Sequence, residues 1–186
     1  MSSGRKAWMA GLAVALGIAA WFIAPHLLPV GLPPDFPAPP DLSRLNPSTR
    51  TLIQQADAAA RKQPGSADAV GKLGLAYHAN LLYEQAEAAY SIAARLAPRD
   101  PQWAYALAVL HEENGRESEL LQFLTRTIEL KPAHVPALIK LADSSFKSDR
   151  LDEAARHYET AAKAADGSGA LQAAFGLARV AARHGD

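Results

Sequence analysis

Cysteine is absent from this chain. Its absence removes disulfide frameworks, thiolate zinc sites, iron–sulfur clusters, cysteine nucleophiles and lipoprotein acylation together. Aromatic residues are scarce at 7% while alanine is abundant, a balance that favours helices packed closely on small residues over a β-sandwich. An excess of one charge is missing too: 19 lysines and arginines face 19 aspartates and glutamates. No basic surplus is left to neutralise a phosphate backbone, so nucleic-acid binding is not expected. At 186 residues the chain can bury one core, or a core plus an appended segment, which excludes a large multidomain enzyme.

Charge is nearly absent from residues 1–24, where only Arg5 and Lys6 precede the apolar run AWMAGLAVALGIAAWFIA at 7–24. As a helix this run spans roughly 27 Å, close to the hydrocarbon core of a bilayer. A cleaved signal peptide is the competing reading, since Gly17, Ile18 and Ala19 include the small residues a signal peptidase accepts. The run continues through Trp21, Phe22 and Ile23, where a cleaved peptide would have turned polar, and this favours an uncleaved anchor. Basic residues before the span place the amino terminus in the cytoplasm. The expected location is therefore the inner membrane, crossed once, with the remainder on the periplasmic side. Trp8 and Trp21 lie near the two ends of the span, and Ala13 and Gly17 form a small-xxx-small pair.

Residues 25–40, PHLLPVGLPPDFPAPP, hold seven of the 13 prolines. Proline fixes φ and lacks the amide donor, so the stretch 25–45 is expected to be an extended, polyproline-like linker that holds the rest of the chain away from the membrane.

Beyond the linker the chain repeats itself. Rows of 34 residues from Ala67 align 67–100 with 101–134 and 135–168 without a gap. Leu73, Leu107 and Leu141 share one column, and Gly74, Ala108 and Ala142 share the next. Further along, Ala86, Leu120 and Ala154 align, then Tyr90, Leu124 and Tyr158, then Ala93, Thr127 and Ala161. Within a row, Val70, Leu73, Gly74 and Tyr77 recur at three and four, the spacing of one helical face, and Ala86, Tyr90 and Ala93 repeat it after a polar turn. Each row is therefore a helix hairpin. In the turns, Gly115 suits the left-handed conformation that ends a helix, and Ser148 and Asp149 offer caps for the second helix of their row.

This pattern resembles the tetratricopeptide repeat, a helix–turn–helix unit of 34 residues. The first row carries the family's pattern at Val70, Leu73, Gly74, Tyr77, Ala86, Tyr90, Ala93 and Pro98, and departs from it at Leu81. The second departs at His111, Leu120, Leu124 and Thr127, the third at Ser145, Asp149 and Asp166. The resemblance implies an all-α, right-handed solenoid. Residues 46–66 read as a capping helix, with Asn46 and Pro47 at its start and Leu52, Ala56, Ala59 and Pro64 in second-helix columns. In 169–186 a two-residue slip places Ala174, Leu177, Ala178, Ala181 and Gly185 in first-helix columns of a partial fourth repeat. Phe175 and Val180 are expected to leave apolar surface at that end.

The resemblance also implies a concave groove lined by four columns of the first helices, which in the family holds an extended peptide or a helix. Those columns contain Asp68, Gly71, Leu75 and His78; Gln102, Tyr105, Val109 and Glu112; and Pro136, Ile139, Asp143 and Phe146. The expected partner-binding residues are Leu75, His78, Gln102, Tyr105, Val109, Glu112, Ile139, Asp143 and Phe146. The lysine, asparagine and arginine clamp for a terminal carboxylate is not present in these columns.

No catalytic motif stands out. His111-Glu112-Glu113-Asn114 begins like a zinc-protease helix, but Gly115 takes the place of the second histidine. The six histidines are scattered, no phosphate-binding glycine loop follows a strand, and Asp166-Gly167-Ser168-Gly169 reads as a connection between helices. No cofactor, metal or small-molecule substrate is expected, and no enzymatic activity. The expected function is a membrane-anchored scaffold that binds a protein or peptide and helps assemble or tether an envelope complex. An assembly factor of the cytochrome c maturation type, or the regulatory part of a hydrolase or transferase system, are the alternatives.

Overall fold

The computed structural model describes residues 31–185, and within them eight helices follow one another with no strand. Helix α1 (Pro47–Lys62) begins where the Asn46 side chain accepts a hydrogen bond from the Thr49 amide at 2.9 Å, with proline in the first helical position. Ser66 caps α2 (Ala67–His78), and α3 (Tyr83–Leu96) returns alongside it. Asp100 caps α4 (Pro101–Glu113), paired with α5 (Glu117–Leu130), and His134 caps α6 (Val135–Lys147), paired with α7 (Leu151–Ala164). The last helix, α8 (Gly167–His184), lies against α7 and α6. Helices α2 and α3, α4 and α5, and α6 and α7 pack chiefly within their pairs, and the pairs stack in order as a solenoid.

The turn inside each hairpin forces the fifteenth residue of the row into left-handed backbone: Leu81, Gly115 and Asp149 have φ of 59°, 68° and 59°. Gly185 has φ 88° after α8, two residues later than the 34-residue step would put it. That offset matches the slip read from the sequence. Ser148 and Asp149 do not cap α7 as expected, because Arg150 occupies the cap and makes no side-chain bond there.

Close contact within the first hairpin depends on Gly74, where a Cβ would lie 2.6 Å from the ring of Tyr90. Tyr90 in turn stacks on Trp103, with ring centroids 6.4 Å apart. The same economy recurs where α8 meets α7, since a Cβ on Gly176 would overlap the ring of Tyr158.

Among the described residues, both ends of the stack are half-hairpins. On α8, Ala173, Gly176 and Val180 are buried against the preceding pair, whereas Ala174, Ala178 and Ala181 are exposed, with no further helix over them among the described residues. Val180, expected at the surface, is 4% exposed, while Phe175 is 68% exposed. On α1, Ile53 and Ala60 are buried, and Leu52 and Ala59 are exposed where a first helix would sit.

Residues 31–45, the described part of the expected linker, are irregular but not a free spacer. Pro37 is buried, and Phe36, Leu42 and Leu45 pack onto the first core cluster. The Arg61 guanidinium lies 4.9 Å from the centroid of the Phe36 ring and donates to the Pro37 carbonyl at 3.1 Å. Asp35 pairs with Arg95 on α3 at 2.6 Å. Leucine and phenylalanine between the prolines give this strap apolar area to bury, which a solvated polyproline segment lacks. The expected membrane span, residues 1–24, lies outside the described residues. Among the described residues no helix is long and apolar enough to cross a membrane.

Candidate functional site

The first helices of the hairpins bring their inward columns to one side of the stack. Between α4, α6 and α8 these columns enclose a cleft of about 530 Å³, lined by Tyr105, Pro136, Ile139, Asp143, Phe175 and Arg179 among others. Tyr105 is half-buried, and its ring lies 4.6 Å from that of His134. Pro136 and Ile139 line it from α6, and Phe175, largely exposed, lines it from α8.

The charged groups of the cleft are already matched with one another. Asp143 accepts hydrogen bonds from the Tyr158 hydroxyl at 2.5 Å and from Arg179 at 3.2 Å. Burial, and then the bond to Asp143, raise the Tyr158 pKa well above its ordinary value, so the phenol stays a donor across the physiological range. Arg179 also covers Phe146, with 4.2 Å from guanidinium to ring centroid. Lys140, also in the lining, is paired with Glu112. An occupant therefore meets aromatic and aliphatic surface framed by neutralised ion pairs, an environment that suits an apolar segment and does not suit a highly charged one.

Of the residues expected in the groove, Tyr105, Ile139 and Asp143 line this cleft, and Glu112 and Phe146 adjoin it through Lys140 and Arg179. Leu75 and His78 lie apart, in a shallow depression with Ala79, Leu81 and Glu113. His78 contacts Tyr90 at 3.2 Å and Glu113 at 3.1 Å, so its ring is engaged within the protein. Gln102 and Val109 are on α4 but outside the cleft lining, Gln102 exposed and Val109 half-buried. Gly71 is not groove surface. It is buried under Trp103, whose ring would overlap an added Cβ. The large indole from the next hairpin fills the space that a glycine leaves.

Gln172, Phe175 and Arg179 on α8 line the cleft without having been expected there from the sequence. The signal was available, since the two-residue slip that set Ala174 and Ala178 also puts these three in inward columns. His111, which departs from the aromatic column, is 1% exposed and stacks on Phe123 at 5.3 Å. Among the described residues no three metal-ligating side chains are gathered.

The family model for the tetratricopeptide repeat matches residues 73–134 and 139–186. Comparison with curated protein sequences finds no match. Among solved structures, a crystal structure of MamA protein is 19% identical, covers 78% of this chain and 78% of that one, and superposes with a TM-score of 0.64. A second MamA crystal structure is 18% identical, covers 66% and 81%, and gives 0.54. YrrB, described as a TPR protein with an unusual peptide-binding site, is 20% identical, covers 77% and 72%, and gives 0.59. At these identities the likeness is one of fold.

Proposed function

The chain belongs to the tetratricopeptide-repeat family, whose hairpins build non-catalytic scaffolds for protein contact, and from that premise we propose that it binds an apolar segment of a partner protein in the cleft between α4, α6 and α8. The apolar run at 7–24 holds this scaffold at the membrane, facing the periplasm, where it helps assemble or tether an envelope complex. One observation carries the reading of the site: Tyr105, Ile139 and Phe175 converge from three successive first helices on one cleft whose charges are paired off. The peptide-binding site named for YrrB is consistent with such a use.

A photo-crosslinking side chain at Ile139 should capture the partner in cells, whereas one at exposed Glu159, on α7, should not. Equal capture from both positions would remove the cleft from consideration. With the partner in hand, Tyr105→Ala is expected to weaken binding by about 2 kcal/mol, roughly thirtyfold, because buried aromatic anchors concentrate binding energy. Helical content should be unchanged, and the loss should be insensitive to salt. Replacing Glu112 should instead act mainly on association rate and its ionic-strength dependence.

A further inference from the structure

One position recurs just ahead of each first helix, and its side chain caps that helix: Ser66 before α2, Asp100 before α4 and His134 before α6. Serine and aspartate keep their acceptor oxygens between pH 7.5 and 5, whereas an imidazole accepts through a ring nitrogen only while neutral. The titratable cap stands at the helix whose first turn, Val135 and Pro136, lines the cleft. His134 is also the main anchor of that turn. Pro136 brings no amide donor, the Ala137 amide donates to His134 Nδ1 at 3.3 Å, and the Leu138 amide donates to the His134 carbonyl at 3.0 Å. The same imidazole lies against Tyr105 of α4, with ring centroids 4.6 Å apart. We propose that His134 is a proton-sensitive positioning residue of the cleft: neutral, it holds the first turn of α6 and the Tyr105 ring in place, and protonated, it releases both, so that an occupant binds less tightly in acid. The effect on an occupant rests on the cleft being the binding site, whereas the release of the turn does not.

The surroundings leave an imidazolium unsupported. His78, His111, His157 and His184 each lie beside a carboxylate, at 3.1 to 3.9 Å, but among the described residues His134 has no such partner. Burial opposes charge on its ring first, and Lys131 at the end of α5 opposes it further. So does the amino-terminal end of α6, where the partial positive charge of the helix collects. From α4 the titratable group against the ring is the Tyr105 phenol, and the Lys140 and Glu112 charges act on that phenol. Helices α7 and α8 meet this end of α6 through Ala161, Ala162 and Gly169, which carry no charge. The ring therefore takes up its proton below about pH 6.5, and the Ala137 amide then faces a donor instead of an acceptor.

Nuclear magnetic resonance on the full chain in detergent tests the release without any partner. Between pH 7.5 and 5 the Ala137 amide should lose about tenfold of its protection against hydrogen exchange, measured relative to the intrinsic rate at each pH. The Overhauser contact between the His134 and Tyr105 rings should fade along the same titration curve. His134→Asn keeps a capping oxygen, and in that variant the Ala137 amide should stay protected throughout. A ring contact that persists once His134 is protonated, or an Ala137 amide that behaves alike in the parent and in His134→Asn, would overturn the proposal. For the occupant, the full chain with a photo-crosslinker at Ile139 is exposed to detergent-solubilised membranes. Capture should be about fivefold weaker at pH 5 than at pH 7.5, within the limit of tenfold per pH unit that one proton sets, and His134→Asn should remove the difference. Equal capture at both pH values would overturn the regulation and leave the cleft as the binding site. Capture at neither pH, with the ring contact still lost in acid, would count against the binding site and leave the hold of His134 on the cleft standing.

Discussion

Leu81 occupies a backbone conformation that disfavours any residue carrying a Cβ. At φ 59° it sits where its counterpart in the second hairpin is Gly115, and its side chain is 68% exposed, so burial does little to offset the strain. The left-handed region costs an L-residue roughly 1–2 kcal/mol, part of which glycine's greater freedom in the unfolded chain takes back. Leu81→Gly should therefore stabilise the protein by about 0.5–1 kcal/mol, read as a higher urea midpoint. Asp149→Gly should change it less, because aspartate tolerates this region better. The opposite sign applies at Gly74, where even a methyl group meets Tyr90 at 2.6 Å. Gly74→Leu should destabilise by about 3 kcal/mol through overpacking, and unchanged melting would contradict the assigned helix contact.

At the scale of the helix, burial shifts three histidines toward their neutral form. Burial lowers the pKa of His111, His134 and His157 below its ordinary value. His134 does so while capping α6, since its Nδ1 accepts from the Ala137 amide at 3.3 Å and can do this only when unprotonated. In the unfolded chain these rings take up protons near pH 6.5, before the folded protein does. The unfolded state then binds more protons, so stability is fully present above about pH 6.5 and falls as pH drops through and below it. Urea midpoints should decline from pH 7.5 to 5, and His134→Asn, which keeps a capping oxygen, should make the decline shallower. A flat profile would show that these rings titrate alike in both states.

The helices were legible in the sequence because each hairpin imposes the same steric demand at the same interval. Gly74, Ala108 and Ala142 are small where helices touch, and the left-handed turn recurs at Leu81, Gly115 and Asp149. The groove was less legible, since its shape depends on contacts between repeats. Nothing in its column shows that Gly71 is covered by Trp103 from the next hairpin. The pairing of Asp143 with Arg179 joins side chains 36 residues apart on different helices, beyond the reach of any periodicity within a row.

For the whole molecule, the expected membrane span sets the first question. If residues 7–24 are retained, the mature protein should sediment with membranes and resist salt extraction, because burial of the apolar run outweighs screened surface charge. A soluble mature form beginning near Ala20 would contradict this.

The strap gives such a tether a mechanical character. A pull entering at Leu32 reaches Asp35, gripped by Arg95 on α3, and Phe36 and Pro37, gripped by Arg61 on α1. The load is thereby divided between the terminal helix and the first complete hairpin. Terminal helices are the part of a stack most prone to open, and a force applied directly to the start of α1 would unzip it one turn at a time. Spread over two helices, the same force no longer falls on the start of α1 alone, and the strap serves the solenoid as a strain-relief clamp.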